Sequence, residues 1–576
     1  MNILNDFYKD LDLSDPLPEY PRPQMKRDSF TSLNGTWQYQ ITDDNEQPAP
    51  EAWKDITVPF ALGSKLSGTE ENLMPGKVLW YTRQFAYLPN ALHTWLNFEA
   101  VDNECTVFLN GMEVGEHHGG YLPFSFDVSS SIKYQNYLLI RVEDDSEFSL
   151  YACGKQRTEH GGIWYTPTAG IWGSVWLEDI AEKGITDLKI TPDFDQSSVA
   201  VDIAGNFDQA LVTISDHGHV IASGITNDGH YEASLPDFHA WSVEDPFLYD
   251  LFVSTGEDVV QSYFGMRKFS AGHDAEGRLR FCLNNKPLFL HGLLDQGYTK
   301  DGMYTFPSDQ GMMAELETIK DLGYNMLRKH MKIESRRWYA ACDHLGLLVM
   351  QDMPCGGMPE YDMKKLGLFP TIGFTRKKDD KGENSTRSEE SRRAYEAELD
   401  EMLDSLYNVT SLFAWCPFNE GWGQFEAGQI TRRIQNYDRT RLVDSASGWF
   451  DQGEGDFASV HDYFFPLHVP KNDGRIFLLS EFGGYTYVEK GHSFPSKPYG
   501  YKQFDDKLYM NDALFELYDK MVIPNIAKGL SGCIYTQVSD VEDECNGIFT
   551  SDRCVLKIDQ KRMKKLSARL MKEISK

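Results

Sequence analysis

The chain of 576 residues has little positive charge and no long hydrophobic run. It carries 56 Lys and Arg residues against 87 Asp and Glu residues, which gives a formal net charge of −31. Nucleic acids and anionic membranes both attract a basic surface, so this balance argues against either as a partner. No stretch reaches membrane-spanning length, and residues 1–20 lack the basic start and apolar core of a signal peptide.

Cysteine is also sparse, with nine residues, an odd number, and no Cys-x-x-Cys spacing. This pattern does not predict a disulfide framework, and several thiols, such as Cys416 and Cys533, lie inside apolar runs. We therefore expect reduced, buried cysteines in a cytoplasmic protein. No stretch has the spacing of a dedicated metal motif, which predicts that no cofactor is required.

Aromatic residues, by contrast, are plentiful at 13% of the chain, with 12 Trp residues among them. Many of these rings belong in a core. The apolar C–H face of a pyranose ring also packs well on an aromatic ring, so this surplus suits a sugar-binding protein. A chain of this length is too long for a single core and predicts about three domains.

Three patterns divide the chain. Residues 1–180 hold short alternating strands separated by turn residues, which predicts a jelly-roll β-sandwich. Residues 181–270 hold a second set of strands whose spacing fits an immunoglobulin-like β-sandwich. From 271 to 576, short apolar strands alternate with helix-length amphipathic segments, the pattern of a (β/α)8 TIM barrel. The predicted fold class is therefore multidomain, with β domains followed by an α/β barrel.

Eight candidate strands can be counted in the barrel region. They are 287–292, 324–328, 346–352, 411–418, 440–446, 457–464, 475–481 and 532–537. Helix patterns between them include 309–322, 387–407, 424–437 and 509–528. The polar insertion 356–390, between the third and fourth strands, is either a functional loop at the active site or a disordered one.

Polar residues at the carboxyl ends of barrel strands are candidate site residues, because active sites of this fold lie there. This rule selects His291, Asp295, Arg328, His330, Asp352, Asn419, Glu420, Asp444, Ser445, His461, Tyr463, Glu481, Gln537 and Asp540. Two of them are glutamates in tight apolar contexts, WCPFNEGWG and LLSEFGGY, on the fourth and seventh strands. Glycoside hydrolysis needs two such carboxyl groups flanking one bond.

The surroundings of the two glutamates suggest different roles. Glu420 lies among tryptophan and phenylalanine residues, an apolar setting that raises the pKa of a carboxyl group and suits a general acid. Glu481 has His461 and Tyr463 on the preceding strand as donors that would keep it ionised for attack at the anomeric carbon.

Long ordered motifs over nearly the whole chain resemble glycoside hydrolase family 2, which contains β-galactosidases, β-glucuronidases and β-mannosidases. The motifs are YPRPQ (20–24), LNGTWQY (33–39), VDNECTVFLNG (101–111), GGYLPFSFDV (119–128), IWYTPTAGIWGSVWLE (163–178), YFGMRK (263–268), PFNEGWGQ and LLSEFGGY. The resemblance implies a retaining exo-β-glycosidase that removes terminal non-reducing β-linked sugars by double displacement. Glu420 would be its acid/base and Glu481 its nucleophile, with the carboxyl groups about 5–5.5 Å apart.

The pocket departs from the usual family pattern in several places. Many members carry Arg-x-Ser-His-Tyr-Pro after the second strand, where this chain has Arg328-Lys329-His330-Met331-Lys332. Gln351-Asp352 replaces an Asp-Glu pair, and Tyr535-Thr536-Gln537 replaces the tryptophan of the eighth strand. No Asn-x-Lys of the kind that recognises a uronic carboxylate follows the nucleophile motif, although Arg376, Lys377 and Lys378 could supply a carboxylate partner.

The expected substrate-binding residues combine the strand-end rule with the resemblance. They are Asn419 (at the sugar 2-hydroxyl), Asp295, Arg328, His330, Asp352, Trp449, His461, Tyr463, Tyr535 and Gln537. Trp449, after the fifth strand, is either a sugar platform or a residue of the core or rim. A bound divalent cation or sodium stays open, because large β-galactosidases of this family use magnesium and sodium.

A β-galactosidase-like activity on oligosaccharides or simple glycosides is the leading interpretation. β-Glucuronidase and β- or α-L-arabinosidase specificities are alternatives within the family, and transglycosylation would use the same two carboxyl groups. A carbohydrate-binding protein without turnover and a metal-dependent hydrolase are alternatives from other classes. Homo-oligomerisation is left open by the sequence.

Overall fold

The computed structural model describes residues 7–8, 11–356, 379, 387–463, 466–467, 469–470 and 473–574. The predicted insertion 356–390 lies almost entirely outside the described residues, as do Arg376, Lys377 and Lys378. In the part of the chain that is described, no helix is long and apolar enough to cross a membrane.

The first body is a β-sandwich, as the sequence predicts. Its strands are β1 (Thr31–Ser32), β2 (Gly35–Asp43), β3 (Lys54–Val58), β4 (Lys77–Ala86), β5 (His93–Phe98), β6 (Val101–Asp102), β7 (Glu104–Leu109), β8 (Met112–His118), β9 (Phe124–Asp127), β10 (Gln135–Glu143), β11 (Gly170–Ile171) and β12 (Val175–Ile180). One sheet has the order β1-β12-β5-β9 and the other β3-β2-β4-β10-β7-β8, with β11-β6 as a separate pair. Buried residues alternate along β7, because successive side chains of a strand point to opposite faces.

The second body is the smaller β-sandwich. Its strands are β13 (Ile185–Asp193), β14 (Ser198–Gly205), β15 (Ala210–Asp216), β16 (His219–Thr226), β17 (His230–Ser234), β18 (Tyr249–Ser254) and β19 (Val259–Phe264). They form a three-stranded sheet, β13-β14-β17, and a four-stranded sheet, β16-β15-β18-β19. The segment before the first sandwich also contacts the other two bodies: Met25 joins the core of this second body, and Phe7 joins the core around the barrel.

The third body is the barrel with its helices. The eight barrel strands are, in chain order, β23 (Leu290–Asp295), β24 (Met326–Lys329), β25 (Leu348–Asp352), β26 (Leu412–Cys416), β27 (Leu442–Val443), β28 (Phe457–Asp462), β29 (Ile476–Gly483) and β32 (Leu530–Thr536). The helices are α1 (Asp309–Asp321), α2 (Arg336–Leu345), α3 (Glu389–Leu406), α4 (Ala427–Tyr437), α5 (Lys507–Leu517), α6 (Ile523–Ile526) and α7 (Gln560–Ile574). A small strand pair, β30 (Tyr485–Tyr487) and β31 (Lys502–Phe504), follows the seventh barrel strand. The predicted order of two β-sandwiches and a barrel is confirmed.

Serine residues set where three of the helices begin. The hydroxyls of Ser308, Ser335 and Ser388 each accept a hydrogen bond from a backbone N–H of the first turn of α1, α2 and α3, respectively. Such a cap satisfies one of the N–H groups that the helix itself leaves unpaired. Helix α2 ends at Gly346, which takes the left-handed conformation that terminates helices.

The barrel is closed at its amino end and nearly closed around its circumference. A three-stranded sheet of β20 (Phe269–His273), β21 (Leu279–Leu283) and β22 (Lys286–Pro287) lies below the strands, where Phe281 joins the apolar residues that fill the interior. The parallel ladder runs from β27 through β23 and β32 to β28. The seam between β27 and β28 is held by other bonds, including Val443 N–H to a carboxylate oxygen of Asp456 at 2.8 Å and the Ser459 hydroxyl to Asp444 at 2.8 Å.

A loop of the first sandwich, residues 149–168, reaches the barrel mouth. The backbone N–H groups of Cys153 and Gly154 donate to the carbonyl of Cys355, at 2.9 and 2.7 Å, just after the third barrel strand. The Ala152 N–H donates to the carboxyl group of Glu398 on α3 at 3.1 Å. Domain packing therefore positions this loop beside the carboxyl ends of the strands.

We expect Glu398→Gln to stabilise the protein at alkaline pH relative to the wild type. Burial raises the pKa of Glu398 to about 8, against the Ala152 N–H bond that lowers it. A raised folded-state pKa means that the stabilising contribution is complete below the unfolded pKa and is lost as pH rises through about 8. Thermal unfolding at pH 5 and pH 9 should show a gain of a few °C for the variant at pH 9 only.

The control is Glu390→Gln, at an exposed position on the same helix. It should leave the difference between the two pH values unchanged. An equal effect of both substitutions would contradict a special role for the buried carboxyl group.

Candidate active site

A buried arginine connects the ends of four barrel strands. Arg328, at the end of β24, donates two bonds of 2.9 Å to the carboxylate of Asp352. The same guanidinium donates to Oε1 of Glu481 at 3.1 Å and to Oδ1 of Asn419 at 2.9 Å. Its side chain is fully buried, so these acceptors replace the water that the charge has lost. The geometry of the site is organised around this cation.

Glu481, on β29, accepts bonds at both carboxyl oxygens. Oε1 accepts from Arg328, and Oε2 accepts from the Tyr463 hydroxyl at 2.6 Å. Burial is the largest influence on this carboxyl group and raises the pKa of Glu481, while Arg328 and the Tyr463 hydroxyl act to lower it. The Tyr463 ring stacks on Tyr501, with centroids 3.6 Å apart, which fixes the donor.

Glu420 lies where the chain leaves β26, and its backbone has a φ of +51°, in the left-handed region. Its N–H donates to the carbonyl of Ser447 at 3.0 Å, across to the segment after β27. A side chain with a Cβ is strained in this conformation, and such strain concentrates at functional sites. Burial raises the pKa of Glu420 to about 7, although the positive charges of Lys155 and Arg328 lower it.

His461, at the end of β28, lies between the two glutamates. Its Nδ1 is 2.7 Å from Oε1 of Glu420, and its Nε2 is 3.2 Å from the Ser447 hydroxyl and 3.5 Å from Oε1 of Glu481. Burial lowers the pKa of His461 to about 4, so the ring is neutral near pH 7. One ligand-type atom each from Glu420, His461 and Glu481 lie within 4.8 Å of one another.

Other predicted residues differ in whether they join this cluster. His330 does, with Nε2 at 3.7 Å from Asp352 and 3.8 Å from Glu481. Gln537 is connected to His330 through Gln296. The half-buried Trp449 lies at the edge, with its ring centroid 6.1 Å from that of His461.

Two predicted substrate-binding residues bond elsewhere. Asp295 bonds Lys329 at 2.6 Å, and the charge of Lys329 helps to keep the pKa of Asp295 low against its burial. Tyr535 accepts a bond from the Tyr485 N–H at 3.1 Å and packs in the outer core cluster. Four further strand-end candidates also bond other residues: His291 with Tyr518, Asp444 with Ser459, Ser445 with Thr431, and Asp540 with Lys557.

The first sandwich supplies site residues that the barrel rule could not select. Lys155 is buried, with Nζ at 3.3 Å from the Tyr165 hydroxyl and 3.5 Å from the Glu544 carboxylate. Trp164 packs on Trp422, with ring centroids 5.1 Å apart. The aromatic motif 163–178 marks this segment in the sequence, but nothing local to it indicates a contact with Trp422, which lies 258 residues after Trp164.

Two groups of side chains in the described residues have donor atoms close enough to hold a metal ion. One is Glu420, His461 and Glu481, and the other is the half-buried set His492, Asp552 and Cys554. In the first group, a protonated Glu420 and a cation would compete for the same oxygen atoms. The nine cysteines are free thiols, eight of them buried, as expected from their apolar context.

Comparisons with known proteins agree with this architecture. A family model described as a glycosyl hydrolase 2 galactose-binding domain-like region matches residues 66–172. A second, described as the TIM barrel domain of glycosyl hydrolases family 2, matches residues 277–465. Together they cover strands β4 to β11 of the first sandwich and six of the eight barrel strands.

Similar proteins carry two different activity names. A putative beta-glucuronidase of Formosa agariphila is 26% identical over 532 residues, which are 82% of this chain and 59% of that protein. A beta-galactosidase of Thermoanaerobacter pseudethanolicus is 28% identical over 308 residues, 48% of this chain and 39% of that protein. The chain thus spans less than two thirds of the length of either relative. The solved beta-glucuronidase of an uncultured Clostridium species has a TM-score of 0.74 at 18% identity and covers 95% of this chain and 99% of its own.

We expect Lys155→Met to raise the pKa of Glu420 above its value of about 7, because the substitution removes a positive charge that lowers it. The change should amount to about one unit. NMR titration of ¹³C-labelled glutamate carboxyl groups, with Glu420→Gln to assign the signal, measures it directly. Lys65→Met, at an exposed lysine of the same sandwich, is the control. An unchanged Glu420 titration in Lys155→Met would contradict the electrostatic contact between the domains.

Proposed function

The chain belongs to glycoside hydrolase family 2, and on that premise we propose that it is a retaining exo-β-glycosidase. One observation carries the proposal: oxygen atoms of Glu420 and Glu481 lie within 4.8 Å of each other in environments that differ. Retaining glycosidases keep their two carboxyl groups about 5–5.5 Å apart, whereas inverting enzymes leave about 6.5–9.5 Å for a water molecule.

In the first step, Glu481 attacks the anomeric carbon and the bond to the leaving group breaks. Arg328 and Tyr463 donate to the carboxylate that attacks, which supports its ionised form. Glu420 gives its proton to the leaving oxygen, and its pKa of about 7 keeps a large fraction of it protonated in neutral solution. The products of this step are a glycosyl–Glu481 ester and the free aglycone.

In the second step, the now ionised Glu420 takes a proton from water, and the hydroxide oxygen attacks the anomeric carbon of the ester. The bond between the anomeric carbon and Glu481 breaks, and Glu481 leaves as a carboxylate. The sugar is released with its original anomeric configuration, and both carboxyl groups recover their starting protonation states. His461, 2.7 Å from Glu420, is neutral and holds the acid/base carboxyl in position through both steps. The Asn419 oxygen is bonded by Arg328, which orients its amide N–H₂ group away from the guanidinium and toward a sugar hydroxyl.

For the sugar itself, we propose a β-galactoside as the first candidate. The name of one relative and the missing Asn-x-Lys motif support it. A β-uronide is the second candidate, because the buried Lys155 lies near Glu420 and other relatives carry the name beta-glucuronidase. Initial rates on p-nitrophenyl β-galactoside, β-glucuronide, β-mannoside, α-arabinopyranoside and β-galactofuranoside separate these candidates.

We propose that no metal or other cofactor takes part. A cation bound between Glu420 and Glu481 would take the oxygen that carries the acid proton and the oxygen that attacks. Hydrolysis should survive chelation with EDTA, whereas loss with EDTA and recovery with zinc would favour a metal-dependent hydrolase.

We expect Glu481→Ala to reduce kcat at least about 10⁴-fold on the best p-nitrophenyl glycoside, because the nucleophile is lost. Glu420→Ala should retain the glycosylation step on activated aryl glycosides but stall at the glycosyl ester. Added azide should then restore turnover and yield the β-glycosyl azide, which mass spectrometry and NMR identify.

Asp540→Asn is the matched control, at a strand-end carboxylate bonded to Lys557 outside the cluster. If the Glu481→Ala variant still hydrolyses the substrate, the assignment of Glu481 as the nucleophile is refuted. Sugar binding without any hydrolysis by the wild type would favour the carbohydrate-binding alternative.

The pH profile of kcat/KM should be bell-shaped. Activity should fall above about pH 7 as Glu420 loses its proton, because its pKa is about 7. The acid limb should lie above pH 4.5, because burial raises the pKa of Glu481. Tyr463→Phe removes a donor to Glu481 and should move the acid limb up by about 1–2 units while the alkaline limb changes little. If the acid limb does not move, the Tyr463 hydroxyl does not influence the ionisation of Glu481.

A further inference from the structure

We propose that Gln296 is a positioning residue that makes His330 a hydrogen-bond acceptor and Gln537 a hydrogen-bond donor for hydroxyl groups of the bound sugar. The inference rests on the proposed function, because it concerns the sugar held at Glu481. It also narrows the substrate class: the part of the sugar that meets His330 carries hydroxyl groups rather than a carboxylate.

The three residues form one chain of hydrogen bonds across three adjacent strand ends. Gln296 follows β23, His330 follows β24 and Gln537 follows β32. Nε2 of Gln296 donates to Oε1 of Gln537 at 2.7 Å, and Oε1 of Gln296 lies 3.0 Å from Nδ1 of His330. All three side chains are buried.

The direction of this chain determines which nitrogen of His330 carries the proton. Because Gln296 uses its N–H₂ group on Gln537, it presents an oxygen to His330, and an oxygen can only accept. Nδ1 of His330 is therefore the protonated nitrogen. Burial holds the pKa of His330 well below its ordinary value, so the ring is neutral and its Nε2 is a bare acceptor.

The two end atoms of this chain of hydrogen bonds have no partner within the described residues. Nε2 of His330 and Nε2 of Gln537 are buried side-chain atoms without a hydrogen bond. Leaving a buried polar group unpaired destabilises a protein, so such atoms at a cluster of this kind indicate that a bound group satisfies them. The His330 atom is 3.8 Å from Oε1 of Glu481, which puts that group on the sugar whose bond is cleaved.

The missing hydrogen on Nε2 of His330 determines what kind of group can bond it. Its bare nitrogen lies 3.7 Å from Asp352 and 3.8 Å from Glu481, so three acceptor atoms face one another. A hydroxyl group can donate its hydrogen to the nitrogen. A uronate oxygen has no hydrogen to donate, so it would leave this nitrogen unpaired, even though the positive charges of Lys155 and Arg328 also act on His330. Gln537, by contrast, offers an N–H to a sugar oxygen.

The test compares parent and deoxy p-nitrophenyl glycosides of the best sugar on the wild type, Gln296→Ala and Gln296→Glu. The wild type should lose about 10²-fold or more in kcat/KM when the hydroxyl read by His330 is removed, because a site built to bond a hydroxyl rejects the analogue that lacks it. Gln296→Ala should reduce that penalty to below about tenfold. Gln296→Glu should restore the penalty, because a carboxylate also accepts from Nδ1 and fixes the same tautomer.

His330→Ala provides the matched comparison. If Gln296 acts on that hydroxyl through His330, the deoxy penalty should already be lost in His330→Ala, and adding Gln296→Ala should not change it further. A penalty that is the same in the wild type and Gln296→Ala would overturn the proposal. A general effect on folding would instead lower the rates on parent and deoxy substrates equally. That result too would count against the proposal that Gln296 acts through His330.

A second measurement does not depend on turnover. In protein labelled with ¹⁵N-histidine, the His330 signal, assigned by its loss in His330→Ala, should report a neutral ring protonated at Nδ1 from pH 5 to pH 8. Protonation at Nε2 would overturn the proposed role of Gln296 even if glycosides are hydrolysed. Failure of the proposed function would look different: no glycoside would be hydrolysed, or activity would survive Glu481→Ala, while the His330 tautomer would still show whether Gln296 sets the proton.

Discussion

The buried charge of Arg328 is the interaction on which the rest of the site depends. A guanidinium removed from water is tolerated only where acceptors surround it, and Asp352, Glu481 and Asn419 supply them from three other strands. The same bonds orient the amide of Asn419 and favour the ionised form of Glu481. Lysine could not replace it, because one ammonium group cannot bond a carboxylate with two parallel N–H groups and still reach two further residues. The hydrogen bonds of Arg328 thus both satisfy a buried charge of the fold and favour the ionised form of the proposed nucleophile.

Much of this arrangement could be predicted from the sequence, because strand ends are local features. Apolar runs followed by polar residues located Arg328, His461 and both glutamates. Asp295 and Tyr535 instead bond residues outside the cluster, because side chains alternate between the two faces of a strand. On β32, Ile534 belongs to the barrel interior and Tyr535 to the outer core, so Tyr535 faces the helices. Asp295 has the same outward parity, since Leu294 lies in the interior cluster. Counting alternate positions from the apolar interior residues would have shown that both side chains point away from the barrel interior.

Other features required the assembled structure. The strands begin or end up to three residues from their predicted bounds, as in 287–292 against Leu290–Asp295. Helix Arg336–Leu345 was not predicted, although its Ser335 cap and Gly346 terminator were visible in the sequence. Lys155 could not be assigned to the site at all, because its contact with the barrel depends on how two domains pack. Because Lys155 belongs to the sandwich and its charge acts on Glu420, the proposed chemistry involves residues of both domains.

The seam between β27 and β28 has a further meaning for the site above it. The ladder between strands ends there, apart from one backbone bond of 2.7 Å from the Asp456 N–H to the Val443 carbonyl. Ser447 and His461, from the two sides of the seam, bond each other beside Glu420. The proposed acid therefore lies beside the part of the barrel wall where side-chain bonds replace most of the ladder. A widening of the wall would draw His461 away from Glu420 and alter how firmly that proton is held. A deformation of the barrel at this seam would therefore also change the acidity of Glu420.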